Sequence, residues 1–166
     1  MLPRSKPVRR TWLRVLGLSL ALAAGPGQAS AAAICAVSST SLTFGQYVPY
    51  EDMPTDSTAT ITVTCTSSNV VPVVINGSIS LTGPGAPSDR ELVDGANRLR
   101  YQLFLDPSRT MIWGDGSNGD ARSVIGIASI AGPFEATVTV YARIPARQPG
   151  TMVGNYTGQI TVVLNY

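Results

Sequence analysis

No histidine occurs anywhere in the chain, and no lysine follows Lys6. These two absences remove the usual general base, the commonest metal ligand and the Schiff-base nucleophile together, and with them ordinary acid–base enzymology. They also exclude Lys–Asn isopeptide crosslinks and sortase-type attachment through a lysine beyond that point. A Gly-x-Ser-x-Gly elbow is missing too, and a serine nucleophile would have no histidine to activate it. No segment after residue 31 is long and apolar enough to read as a membrane helix. Cysteine is limited to Cys35 and Cys65.

The first 31 residues read as a signal peptide. Arg4, Lys6, Arg9, Arg10 and Arg14 form a basic start, and Val15 to Ala24 an apolar run too short to span a bilayer. The Arg9-Arg10 pair faintly resembles a twin-arginine signal, but an ordinary Sec signal is preferred. Small residues place cleavage near 31–33, which leaves one exported domain over residues 32–166. Cleavage removes five of the twelve basic residues. The remainder holds seven Arg against ten Asp and Glu, a net of −3. With that balance and no basic patch, nucleic acid is not an expected partner.

An even cysteine count in an exported chain predicts a Cys35–Cys65 disulfide. Closing a loop of that length stabilises by roughly 3–4 kcal/mol, less if strain intervenes. Residues 58–66 alternate, with Ala59, Ile61, Val63 and Cys65 on one face and five threonines on the other, so Cys65 is expected to point into a core. Val71 to Ile75 reads as a strand, with Asn76-Gly77 as a tight turn after it. Residues 82–90 read as a loop. Leu99, Tyr101, Leu103 and Leu105 alternate as another strand, turned by Asp106-Pro107-Ser108, and Trp113 to Gly119 is glycine-rich enough to read as a loop. Phe134, Ala136, Val138, Val140, Ala142 and Ile144 form a further apolar face.

The last eleven residues alternate as well: Tyr156, Gly158, Ile160, Val162, Leu164 and Tyr166 share one face of an expected terminal strand. Termini usually fray, so an apolar strand in this position is expected to pair with something. Six or seven short antiparallel strands and one disulfide predict an all-β, immunoglobulin-like sandwich.

Several clusters invite chemistry. Asp115, Ser117, Asn118 and Asp120 gather calcium-type oxygens, but lack the distal bidentate glutamate of an EF-hand, and the same residues build a hydrogen-bonded turn. Asp89, Glu91 and Asp94 are carboxylates of the kind glycosidases pair, yet polar loops on a sandwich look the same. No catalytic residue, metal site or cofactor is therefore expected. Asn76-Gly-Ser and Asn155-Tyr-Thr match a glycosylation pattern that is common by chance. Tyr47, Val48, Pro49, Tyr50 and Met53 lie in one expected loop, and Ile125, Ile127 and Ile130 in another. Apolar patches of this kind mark interaction sites when exposed, or close the ends of a sandwich when not.

Four blocks in order carry a family resemblance: Cys35 with Leu42-Thr43-Phe44-Gly45-Gln46-Tyr47; Arg98 to Gly116; Tyr141 to Gln148; and Gly154-Asn155-Tyr156 with the terminal strand. Together they resemble the spore coat protein U domain, found in subunits of archaic (Csu-type) chaperone–usher pili. The resemblance implies a sandwich lacking one strand. A periplasmic chaperone lends the missing strand, an outer-membrane usher secretes the subunit, and a neighbouring subunit then donates its own strand, a form of β-augmentation. By the family pattern Ile160, Val162, Leu164 and Tyr166, with Phe44, line the strand-acceptor groove. The implied place is the periplasm in transit and then a surface fibre, with a role in adhesion and biofilm formation.

Donor segments in such subunits precede the first cysteine by some ten to twenty residues, whereas cleavage here leaves one to three. At roughly 3.3 Å per residue so short a piece cannot fill a groove. The expectation is a subunit that accepts a strand without donating one, at a fibre tip or as a minor component. Residues 47–53 would then be candidates for an adhesive loop. The alternative is a self-contained secreted binding module, or a coat protein that does not polymerise by strand exchange.

Overall fold

In the computed structural model, residues 33–67, 73–117, 119–130 and 132–166 are described. The expected signal segment, residues 71–72 of the expected strand and Asn118 lie outside them. Eight strands follow in chain order: β1 (Ala33–Ser39), β2 (Thr55–Ser67), β3 (Val73–Thr82), β4 (Arg90–Asp94), β5 (Asn97–Phe104), β6 (Ser123–Ile130), β7 (Phe134–Ile144) and β8 (Thr161–Asn165). All pairings between them are antiparallel. One sheet runs β1-β2-β7-β5-β4, the other β6-β3-β8.

Alternation builds the larger sheet. On β2 the apolar set Ala59, Ile61, Val63 and Cys65 is buried, and the intervening threonines are exposed or half-buried. β7 aligns Val140 with Ala59 and Val138 with Ile61, so the two inward faces coincide. β5 adds Leu99, Tyr101 and Leu103, while β3 of the second sheet contributes Ile79 and Leu81 to the same core. This is the two-layer solution for sheets with one apolar face each.

The expected disulfide is present. Cys35 and Cys65 stand opposite each other in the β1–β2 register, Cα atoms 4.0 Å apart, and Cys65 is buried.

Two expectations need correction. Asn76-Gly77 makes no turn: the two residues pair with Gly126 and Ile125 inside β3, and neither has the positive φ that a two-residue hairpin requires. Ile125, Ile127 and Ile130 belong to β6 rather than to a loop. Trp113 stands in an irregular stretch as expected, yet it is fully buried.

Trp113 marks how one side of the sandwich is stitched shut. Its N–H donates to Leu103 O of β5 (2.9 Å), its indole Nε1 to Ile79 O of β3 (3.0 Å), and Leu81 N–H donates to Gly114 O (3.0 Å). One short segment thus bonds to both sheets. The buried Arg90 guanidinium reinforces it, donating to Leu81 O, Trp113 O, Pro87 O and Gln102 Oε1 at 2.7–3.0 Å.

Candidate functional site

The opposite side of the sandwich is built differently. Among the described residues β1 pairs only with β2, and β8 only with β3, so each presents an edge without a neighbouring strand there. Unpaired edges are the ordinary template for strand addition. The close Cys35–Cys65 approach is that of a non-hydrogen-bonded pair, which turns the Cys35 N–H away from β2 toward the free edge. By the same alternation the N–H groups of Val37 and Ser39 face that edge.

Between these edges opens a cavity of about 510 Å³. Residues 39–45 form one wall and residues 155–162 the other. Ala59, Ile61, Leu81, Leu103 and Val140 supply the floor, with Leu92 and Tyr101 at one end. Among the described residues none that lines the cavity is charged. The first wall is held in line with β2: Thr40 N–H donates to Thr60 O, Thr60 N–H to Thr40 Oγ1 (both 2.9 Å), and Ser57 Oγ to Thr43 O (2.6 Å). Phe44 packs edge-on against Tyr101, ring centroids 6.1 Å apart. Burial pushes the Tyr101 phenol above its usual pKa, and Arg90 opposes that shift.

The second wall departs from the terminal strand expected over 156–166. Regular pairing with β3 covers only Thr161 to Asn165. Ahead of it Thr157 pairs with Val93 of β4 through bonds of 2.7 and 2.9 Å, so this stretch straps the far edge of the larger sheet. Gly158 permits that approach, because a Cβ there would meet Leu92 Cδ2 at 2.8 Å.

The five residues expected to line a groove divide. Phe44, Ile160 and Val162 border the cavity. Leu164 is half-buried against the core. Tyr166 is largely exposed, and its hydroxyl accepts the Cys35 N–H at 3.4 Å, spanning the gap at the disulfide end. Leu42, Tyr156 and Gly158 also line the cavity, although sequence reasoning assigned none of them to it.

The residues expected in an adhesive loop divide too. Tyr47 and Pro49 are buried. Tyr47 exchanges backbone hydrogen bonds with Gly154, packs edge-on against Tyr156, and its hydroxyl accepts Gln148 N–H at 3.1 Å. Val48, Tyr50 and Met53 remain exposed, Tyr50 at 89% and Met53 at 74%. The Tyr47–Gly154 pairing brings the loop bearing exposed Met152 and Val153 alongside.

The polar clusters have other partners. Asp89 faces Arg100 and Glu91 faces Arg98 across the β4–β5 pair, at 3.7 and 3.8 Å, rather than converging on a common point. Asp115 Oδ1 accepts Ser117 N–H at 2.8 Å and the Ser117 hydroxyl, which hold its carboxyl below the usual range. Among the described residues no group of three His, Cys, Asp or Glu is placed to hold a metal ion.

A two-sheet antiparallel sandwich of immunoglobulin type, stitched on one side and open along an uncharged apolar seam on the other, is the class of protein that this fold and groove define. The chain belongs to the Spore Coat Protein U domain family, whose profile matches residues 21–163. No curated protein matches it in sequence. Among solved structures it is similar to a chain in the CsuC–CsuE chaperone–tip adhesion subunit pre-assembly complex from archaic chaperone–usher Csu pili of Acinetobacter baumannii. The TM-score is 0.52 at 18% identity, over 81% of this chain. This chain spans 40% of the length of that one, and at that identity the likeness is one of fold.

Proposed function

We propose that this protein is an exported, non-enzymatic subunit of a chaperone–usher surface fibre, and that the seam between β1 and β8 accepts a strand from outside. A periplasmic chaperone supplies that strand first, and a neighbouring subunit replaces it after passage through an outer-membrane usher. The observation that carries this reading is the uncharged cavity lying between two edges that have backbone groups to offer and no strand to receive them. An added strand would satisfy those groups and cover what remains exposed of the half-buried Phe44, Ile160 and Val162, a gain below the roughly 1.5–3 kcal/mol of burying each from full exposure.

Ile160→Asp with Val162→Asp places carboxylates where an incoming apolar side chain would sit. Co-purification with the cognate chaperone should then fall at least about a hundredfold, while Thr137→Asp on the exposed face of β7 should leave it unchanged. Equal recovery of the double variant with the chaperone would sink the reading.

The finer part of the proposal is adhesion through the paired loops that expose Tyr50, Met53, Met152 and Val153. Such a patch favours an apolar substratum. Tyr50→Ser with Met53→Ser should lower retention of fibre-bearing cells on polystyrene without changing fibre yield. Unchanged retention would remove adhesion from the account.

A further inference from the structure

Methionine is ordinarily a core residue, and here it is kept out of the core. Of the four in the chain, Met1 lies outside the described residues, and Met53, Met111 and Met152 are 74%, 51% and 63% exposed. Ile, Leu, Val, Ala and aromatic side chains, with Cys65, fill the interior instead. Cys35 and Cys65 are bonded to each other, so among the described residues no free thiol competes for an oxidant. The exposed thioethers are therefore the groups on this surface that an oxidant attacks most readily.

Two of the three stand on loops fastened to each other. Met53 belongs to the loop over residues 47–53 and Met152 to the loop over residues 147–156. Tyr47 exchanges backbone hydrogen bonds with Gly154, and Asp52 pairs with Arg147. The Tyr156 hydroxyl accepts the Met152 N–H at 3.2 Å and donates to the Met152 carbonyl at 2.8 Å, which pins that backbone. A chemical change at either side chain is thus displayed on a held backbone. Met111 stands elsewhere, in the turn where Asp106 Oδ1 accepts its N–H at 2.8 Å.

Resting on the adhesion reading above, we infer that Met53 and Met152 are oxidation sites through which a hypohalous acid or a peroxide switches the apolar patch off. Each thioether sulfur takes the oxygen atom of hypochlorous acid, whose chlorine leaves as chloride together with a proton. Sulfur gives up two electrons and chlorine gains them; with hydrogen peroxide the second product is water. The sulfoxide is polar, so covering it with an apolar surface forfeits its hydration. Both side chains project into solvent, so oxidation removes no core contact, and a methionine sulfoxide reductase restores the thioether.

The test uses the complex of the full exported chain with its cognate chaperone, adsorbed to polystyrene beads before and after treatment with hypochlorous acid. Peptide mapping by mass spectrometry reads the sulfoxide fraction at Met53, Met111 and Met152 separately, and each protein is compared with its own untreated adsorption. The parent is expected to lose adsorption at least about fivefold once both patch methionines are oxidised, and to regain it on incubation with reductases for the two sulfoxide epimers. Met53→Leu with Met152→Leu keeps the apolar bulk and removes the sulfur, so its loss should stay below about twofold. Met111→Leu should respond as the parent does. Equal losses in the parent and the double leucine variant would overturn the inference, as would unchanged adsorption of a parent oxidised at both sites. Untreated Tyr50→Ser with Met53→Ser separates the two claims. If it adsorbs as well as the parent, the adhesion reading fails and the inference with it; if it adsorbs less while the oxidised parent does not, the inference alone fails.

Discussion

Arg90 is, among the described residues, the one charged side chain that the interior encloses. Burial pulls its guanidinium below the usual value, with Tyr101 and the carboxylates of Asp120 and Asp115 acting against that pull. Its worth lies in geometry, since a planar fork with five donors reaches carbonyls of β3, of the Trp113 segment and of the β3–β4 loop at once. An ammonium cannot span those acceptors. Arg90→Lys should therefore destabilise the chaperone-bound subunit by about 3 kcal/mol, as buried acceptors lose their donors. A guanidinium-chloride midpoint within error of the parent's would show that the stitch is dispensable. Single residues were legible where their neighbours shared the pattern: Cys65 fell in register with Ala59, Ile61 and Val63, so its inward direction followed. Arg90 and Trp113 carried no such signal. A charge at a loop end reads as solvated, and a tryptophan beside glycines reads as part of their loop. What places both inside is their hydrogen bonding to distant strands.

Elements with one wet and one dry face were readable for the same physical reason. β2, β5 and β7 alternate because their inner faces meet a core and their outer faces meet water. β6 has no polar alternation to betray it, and the Asn76-Gly77 turn signal was overridden because both residues are paired within β3. The terminal segment alternates as one strand, but its first half bonds to β4 and its second half to β3, a division of partners that a period of two cannot encode. β1 is the element on which the seam depends most, as it has a single neighbouring strand and is bound to it covalently through Cys35. Cys35→Ser with Cys65→Ser should cost about 3–4 kcal/mol, at the upper end of the loop-entropy estimate. It should also free the wall proposed to face an incoming strand. The check is thermal melting of the chaperone complex beside chaperone capture in the periplasm. A variant captured as well as the parent would mean that β1 is held by its hydrogen bonds alone.

On the scale of the whole molecule the two sides of the sandwich are unequal. One is closed by Trp113, Gly114 and Arg90, which bond to both sheets. The other holds a cavity of about 510 Å³, bordered by the strap that Thr157 makes to Val93, with the Cys35 N–H meeting the Tyr166 hydroxyl at 3.4 Å nearby. The family resemblance carried in four blocks of sequence led to an incomplete sandwich, and the fold agrees. Which residues border the opening was only partly legible: Tyr156 and Gly158 share the alternating face of Ile160 and Val162, but their packing against the Tyr47 loop and Leu92 of β4 is not encoded in a period of two, and Leu42 carried no pattern. A domain with a cavity of this size in its seam lacks the close packing that a stable interior normally has, so its stability should depend on a borrowed strand.

Periplasmic expression of this chain with and without its cognate chaperone, followed by size-exclusion chromatography and thermal melting, tests that dependence most directly. The account predicts soluble protein only as a one-to-one complex with the chaperone, and aggregation or proteolysis of the subunit alone. A stable, cooperatively melting monomer obtained without the chaperone would mean that the sandwich is complete as it stands, and would contradict the central claim.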